Sequence, residues 1–232
     1  GQGLDPSKAE DRRALLSLLK ERVIDQKLLI KASLTDRPRL ETLLTLLSVP
    51  RRFNLAVMQD IIEKFAPLYK KDKVLEYIDL SREINDITPA LDWNLSRAGY
   101  CIDEPVRNIF LLQLRLQGLT VAKGGTYTYQ DIHRFLATMN GMLANEVSGP
   151  DHIRYLEEWF YHLLESGETT NSVLQKMTLT VERLTKDRSV DLLIQFHEEF
   201  KQDRHLNHAL GRGAQKIILL MHGHLEQLKA QS

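Results

Sequence analysis

The stretch GLTVAKGGTYTY, residues 118–129, is the clearest β-signal in a chain whose other segments have helical patterns. Two short β-prone runs, at 119–122 and 126–129, flank a Lys-Gly-Gly turn at 123–125. Consecutive glycines can adopt the positive φ angles that a tight hairpin turn requires. The stretch therefore predicts one small β-hairpin within an otherwise helical chain.

Helix signals surround this hairpin on both sides. Leucine is the dominant apolar residue, and it loses little rotamer freedom in a helix. Cap and proline signals, such as Asn54, Thr88-Pro89 and Gly118, divide the chain into about ten helices, one of them over 88–98 with Trp93 in the core. No fixed-period repeat is present. The fold class predicted is all-α, a multi-helix bundle or irregular helical array with one small β-hairpin.

Composition limits the domain organisation and the compartment. The segment 147–150, Val-Ser-Gly-Pro, predicts a boundary between an N-terminal helical subdomain (1–147) and a C-terminal one (148–232). The single cysteine, Cys101, excludes an internal disulfide and indicates the cytoplasm or another reducing compartment. The chain has no apolar run of membrane-spanning length, so no membrane insertion is expected. It starts without methionine, and we expect it to be part of a larger protein.

The order of elements over 72–129 resembles that of a winged helix. Predicted helices at 72–85, 88–98 and 104–117 precede the glycine hairpin, as a helix-turn-helix precedes a β-wing. The resemblance covers about a quarter of the chain. If it extends to nucleic-acid binding, it implies contacts from the second helix and the wing, namely Arg107, Arg115 and Lys123.

Charge argues against such contacts. Neutralisation of phosphates supplies much of the affinity for DNA, but residues 74–150 hold 6 Lys and Arg against 9 Asp and Glu. The formal net charge of the chain is +0. We therefore expect the hairpin to serve in packing or in a protein contact, and nucleic-acid binding stays the alternative.

Two groups of residues are candidates for binding a partner protein. Residues 1–73 hold 15 Lys and Arg against 10 Asp and Glu, and the basic residues grouped there could grip an acidic partner: Arg51, Arg52, Lys70, Lys71 and Lys73. The alternative is that they complement helix C-termini. The second group is aromatic, because Trp159, Phe160 and Tyr161 are consecutive and cannot all face one core. Aromatic residues are enriched at interfaces, which makes Trp159 and Tyr161 candidates.

Histidines near the C-terminus are the only pattern that suggests a metal. His205 and His208 are three residues apart and would share a helix face, whereas His222 and His224 would not. Solvated or core-edge histidines are the simpler interpretation, and no metal or cofactor is expected. No nucleophile elbow, P-loop or dinucleotide-binding glycine motif is present.

The sequence thus favours a non-catalytic module that binds another protein, as a regulatory, adaptor or scaffold domain. Two alternatives remain open at this point. One is a nucleic-acid-binding winged-helix protein, and the other is a metal-dependent enzyme that uses the C-terminal histidines.

Overall fold

The structure, a computed structural model, describes residue 5 and residues 7–94, 98–121 and 125–230. Eleven α-helices lie in these residues, which confirms the predicted all-α class: α1 (Ala9–Leu19), α2 (Arg37–Leu47), α3 (Leu55–Phe65), α4 (Glu76–Ile87), α5 (Glu104–Gln117), α6 (Tyr129–Glu146), α7 (Pro150–Glu165), α8 (Thr170–Lys186), α9 (Val190–Gln202), α10 (Arg204–Leu210) and α11 (Arg212–Ala230). A π-helical segment, Lys20–Leu28, continues α1, and a single 3₁₀ turn, Pro67–Tyr69, follows α3. None of these helices is long and apolar enough to cross a membrane.

The chain divides into two compact units, Gly1–Tyr129 and Gln130–Ser232. The segment 147–150, at which the sequence predicts a boundary, lies inside the second unit, where it connects α6 to α7. Almost all of α6 therefore belongs with the C-terminal helices.

The first unit is organised around a backbone pairing at Phe53. Asn54 caps α3, because its side chain accepts a hydrogen bond from the backbone N–H of Val57 at 3.0 Å. Immediately before this cap, Phe53 and Tyr100 exchange two backbone hydrogen bonds, with N–O distances of 3.0 and 2.8 Å. The order along the chain is thus a helix (α2), a bridging residue, two helices (α3 and α4) and then two strands.

Those two strands replace the helix predicted over 88–98, and that prediction is wrong. Strand β1 (Leu91–Asn94) pairs antiparallel with β2 (Gly99–Ile102). Gly99, predicted as a helix C-cap, has another role, because a Cβ there would lie 3.1 Å from the carbonyl oxygen of Phe53. The cap-plus-proline signal at Thr88-Pro89 is local, and the long-range pairing with Phe53 prevails over it. Consequently α5 has no helix directly before it, and the predicted helix-turn-helix at 88–117 does not form.

The hairpin predicted at 118–129 is confirmed. Strand β3 (Leu119–Val121) pairs antiparallel with β4 (Gly125–Tyr127), and the rest of the turn, 122–124, lies outside the described residues. Gly118 has a φ of 68°, and a Cβ there would come within 2.8 Å of the carbonyl oxygen of Tyr127, so only glycine fits. The ring of Tyr127 packs edge-on against Phe65 of α3, with centroids 4.9 Å apart. This contact fits the expected packing role of the hairpin.

In its described residues the second unit consists of helices joined by short turns. Its core is formed by buried apolar residues of α6 to α11, including Phe160, Phe196 and Phe200. The rings of Phe160 and Phe196 stack with centroids 6.1 Å apart. Glycines with positive φ mark three connections, at Gly149, Gly167 and Gly211.

Candidate functional site

A group of exposed apolar side chains, with the exposed Lys73 and the partly buried Lys71, lies on the connection between α3 and α4 in the first unit. This linker patch consists of Leu68, Lys71, Lys73, Val74 and Leu75. Its three apolar side chains are exposed, and Leu75 retains 71% of its accessible surface. In the described part of the chain, neither lysine makes an ion pair. Large apolar side chains this close together in solvent are typical of an interaction surface.

Lys70 lies beside the linker patch but is already paired. Its ammonium group is 3.4 Å from a carboxylate oxygen of Glu63. A hydrogen bond from Gln59 lowers the pKa of Glu63; partial burial opposes this effect, and the charge of Lys70 adds to it. Lys70 therefore has less charge to offer a partner than Lys71 or Lys73.

Helix α4, which follows the linker patch, has an acidic outer surface. Asp79 and Asp86 are exposed, and Glu83 pairs with Arg39 of α2. Arg82 is the only basic residue of α4 and lies 3.4 Å from Asp79. A polyanion would meet net negative charge along this helix.

Trp93 lies on β1 and is not the core residue that the sequence predicted. Its side chain is 45% exposed, and its ring packs edge-on against Tyr100 with centroids 5.0 Å apart. The core prediction depended on a helix over 88–98, whereas a short hairpin strand leaves one side of the indole open.

The structure separates the basic residues that the sequence grouped together. Arg51 is buried and Arg52 is partly buried, so neither presents an open cationic surface. Arg107 is also buried, and it donates a hydrogen bond to the carbonyl oxygen of Val49 at 3.1 Å. It is therefore an internal structural residue rather than a phosphate contact.

The other two residues of the nucleic-acid alternative differ in position. Arg115 donates to the hydroxyl of Tyr129 at 2.7 Å, and its guanidinium lies 4.5 Å from the centroid of that ring. Lys123 lies outside the described residues. Arg115 thus has a local partner that accounts for its orientation.

The second unit contains a groove of about 510 Å³ between α6, α7 and α8. Apolar residues from all three helices line it, among them Leu156, Trp159 and Leu179. Trp159, one of the two predicted aromatic candidates, is partly buried there, whereas Tyr161 is buried in the core. Of the three consecutive aromatic residues, Trp159 is the one that stays partly exposed.

Gly141 allows the indole of Trp159 to lie against α6. A Cβ at position 141 would be 3.2 Å from the indole nitrogen of Trp159, closer than most side chains tolerate.

Two polar contacts also join α6 to α7. His133 and His162 are fully buried with their Nδ1 atoms 2.8 Å apart, and Nδ1 of His152 is 2.6 Å from the carbonyl oxygen of Ala144.

The buried histidines form part of a polar cluster within the helical core. At a Nδ1–Nδ1 distance of 2.8 Å, one imidazole donates its proton and the other accepts it. The carboxylate of Glu158, also buried, lies 3.6 Å from Nε2 of His162. Tyr161 packs edge-on against His133, with ring centroids 5.6 Å apart. The hydrogen bond between the two imidazoles thus joins α6 to α7 within the core.

Lys176, at the rim of the groove, forms an ion pair with Glu168. The same carboxylate also accepts a hydrogen bond from the hydroxyl of Ser172. Partial burial raises the pKa of Glu168, but the bonds from Lys176 and Ser172 and the charge of Lys176 outweigh it, and the net pKa is lowered. Arg183, at the other end of the groove, is exposed and has no ion pair in the described part of the chain.

The C-terminal histidines do not converge on one point. His197 lies 3.0 Å from Glu198 and 6.3 Å, ring to ring, from His222, while His205 packs against Tyr161. Within the described residues, no group of three or more His, Cys, Asp or Glu side chains is placed to hold a metal ion.

Comparison with family models, with curated proteins and with solved structures gave no match. Sequence reasoning found Lys71, Lys73 and Trp159 of the two candidate surfaces. It missed the exposed Leu75, which continues a helical apolar pattern, and it missed the groove, whose lining comes from three separate helices.

Proposed function

We propose that the chain is a non-catalytic protein-interaction module, a regulatory, adaptor or scaffold domain, which contacts an acidic partner protein through the linker patch. The observation that carries the proposal is the exposure of three large apolar side chains beside two lysines within eight residues. Burial of each such side chain contributes about 1.5–3 kcal/mol at most. The two lysines would add selectivity and a faster association with an acidic surface.

The element order of the first unit supports a winged-helix interpretation at 37–102, rather than at 72–129 as the sequence predicted. In that interpretation α3 and α4 form the helix-turn-helix, Phe53 and β2 pair as neighbouring strands, and the β1–β2 hairpin is the wing. The linker patch then lies on the turn of the helix-turn-helix.

The same interpretation argues against nucleic acid as the partner. The second helix of a helix-turn-helix enters the major groove of DNA, and here that helix is α4. Its exposed Asp79 and Asp86 would face phosphates, with Arg82 as the only cation on the helix. This arrangement favours a protein partner.

A quantitative pull-down tests the proposal. The full chain is immobilised, incubated with nuclease-treated lysate of the source cells, and compared with the double variant K73E/L75E. A matched control is L34E, because Leu34 is also exposed in the first unit but lies outside the linker patch. We expect a protein that is recovered by the wild type and by L34E and is depleted at least about tenfold by K73E/L75E.

Nucleic-acid binding is measured in parallel by anisotropy of a labelled mixed-sequence duplex of about 20 base pairs, at about 50 and about 200 mM salt. Weak binding, with no effect of K73E/L75E, is the expected result. Tight binding that falls steeply with salt and is lost in K71E/K73E would replace the protein partner with a nucleic acid.

A further inference from the structure

We infer that the groove between α6, α7 and α8 binds one amphipathic α-helix of a partner protein, with an acidic residue of that helix against Arg183. The inference depends on the second unit alone. It does not depend on the linker patch or on the winged-helix interpretation of the first unit.

The floor of the groove is formed by small residues. Ala137, Gly141 and Ala144 lie on one face of α6, at spacings of four and three residues, and all three line the groove. The indole of Trp159 packs over Gly141, so the floor is made of this indole together with the small side chains of α6. The floor is therefore apolar from α6 across to α7.

The walls of the groove carry apolar side chains that the described residues of the second unit leave exposed. Met142 on α6 is 59% exposed and Leu179 on α8 is 58% exposed, and both line the groove together with the partly buried Trp159. An apolar partner surface would cover all three at once. This is how amphipathic helices bind in grooves, with apolar residues at i, i+3 or i+4, and i+7.

The length of the groove matches that mode. The lining residues cover positions 137–145 on α6 and 176–183 on α8, which is about two helical turns on each side. A partner helix of about three turns would place its apolar residues along the whole floor.

The charge at the rim of the groove favours a partner helix that carries an acidic side chain. Lys176 is neutralised by Glu168, and Thr180 donates its hydroxyl proton to the carbonyl oxygen of Lys176 at 3.0 Å. Arg183 is exposed at the opposite end of the lining segment of α8. A carboxylate on the partner helix would complement this guanidinium.

The test uses the only tryptophan of the second unit as its reporter. The chain has two tryptophans, so the variant W93F in the full chain leaves Trp159 alone. Two synthetic peptides of about 14 residues serve as probes. Both have leucines at positions i, i+4, i+7 and i+11, and they carry either glutamates or lysines on the polar face. We expect saturable binding of the acidic peptide with a shift in Trp159 fluorescence, and at least about tenfold weaker binding of the basic peptide.

Groove variants then locate the binding site. L179E places a charge on the wall and is expected to weaken the acidic peptide about tenfold or more. L219E is the matched control, because Leu219 is 60% exposed on α11 and does not line the groove. R183E is expected to weaken the acidic peptide about fivefold and to strengthen the basic one. The control for R183E is R212E, because Arg212 is exposed on α11 and does not line the groove.

Three results would overturn the inference. The first is no saturable binding of the acidic peptide to the W93F variant, and the second is an equal effect of L179E and L219E. The third is preferential binding of the basic peptide, which would mean that the partner helix is basic rather than acidic. Circular dichroism of each variant shows that the fold is retained, and K73E/L75E should leave peptide binding unchanged, which separates this test from that of the linker patch.

Discussion

The linker patch of the first unit lies on a connection between two helices, whereas the groove of the second unit lies between three. The linker patch is made by residues within one short segment, 68–75, and its apolar side chains stand in solvent beside lysines. The groove is made by residues from 137 to 183. One chain therefore offers two kinds of surface, which would suit partners of different shape.

The two units also differ in the contacts found inside each of them. The first unit has, beside its buried apolar core, two close backbone approaches, at Gly99 against Phe53 and at Gly118 against Tyr127. Stacked aromatic rings and a buried histidine pair define the second. Substitution of either glycine should therefore act through the backbone, and truncation of the stacked aromatic rings should act through side-chain packing.

The largest expected effect comes from Phe196→Ala in the core of the second unit. Phe196 is fully buried between Phe160 and Phe200, and truncation of such a ring costs about 3–5 kcal/mol. Urea unfolding of a W93F background, followed through Trp159, measures this loss. Ile194→Ala, at an exposed position of the same helix, should cost about 0.5–1 kcal/mol.

The same substitution in a W159F background tests whether the two units are separate in stability. Trp93 then reports on the first unit alone, and its unfolding midpoint should not move with Phe196→Ala. If the Trp93 transition shifts as far as the Trp159 transition, the units unfold as one and the contrast between them does not extend to their stability.

A pair of glycines compares backbone strain with steric clash. Gly118 and Gly149 share a φ of 68° with extended ψ values, a conformation that other residues adopt at a cost of about 1–3 kcal/mol. A Cβ at position 149 meets nothing within 4 Å, whereas at 118 it would lie 2.8 Å from a carbonyl oxygen. Gly118→Ala should therefore cost about 1–3 kcal/mol more than Gly149→Ala in urea unfolding. Equal losses would mean that the β3–β4 hairpin relaxes away from the clash.

These glycines also show how far the sequence determines the fold. Gly118 ends α5 through its own backbone angles, so local reasoning places it correctly. Gly99 resembles Gly118 in the sequence, but its role is to allow the approach of Phe53, which lies far away in the chain. Local signals alone could not distinguish this role from a helix C-cap, and the β1–β2 hairpin was missed for that reason.

The candidate surfaces were predictable to a similar extent. Lys71 and Lys73 are neighbours in sequence and in space, so composition alone points to them. Arg51 and Arg107 look equally basic in the sequence, but long-range packing buries both of them. The groove needs α6 and α8 on either side of Trp159, and no pattern within one helix reveals such an arrangement.

The histidine pair should contribute less than the aromatic core. His133→Phe removes the hydrogen bond to Nδ1 of His162 inside the core, and loss of a buried partner costs about 1–3 kcal/mol. The double variant H133F/H162F should cost less than the sum of the two single variants, because the two side chains are coupled. Urea unfolding followed through Trp159 measures all three variants. Additive losses would show that the pair does not act as a unit.

The smallest expected effect lies at Glu168, beside the groove, and it depends on pH. The pKa of Glu168 is lowered from its ordinary value of 4.5 because Lys176 and Ser172 outweigh the effect of burial. The folded chain therefore binds this proton less tightly than the unfolded chain, so the stabilisation is complete above pH 4.5 and is lost as the pH falls through the folded-state pKa.

Both partners of this contact are partly exposed, so the contribution should stay below about 1 kcal/mol. Glu168→Gln should reduce the pH dependence of the free energy of unfolding of the second unit between about pH 3 and about pH 5. Urea unfolding followed through the fluorescence of Trp159 measures it. Glu182→Gln, at an exposed position on α8, should keep the wild-type dependence of this free energy on pH. If both variants give the same slope, the Glu168–Lys176 contact does not hold the rim of the groove, and Lys176 joins Arg183 as a cation available to an acidic helix.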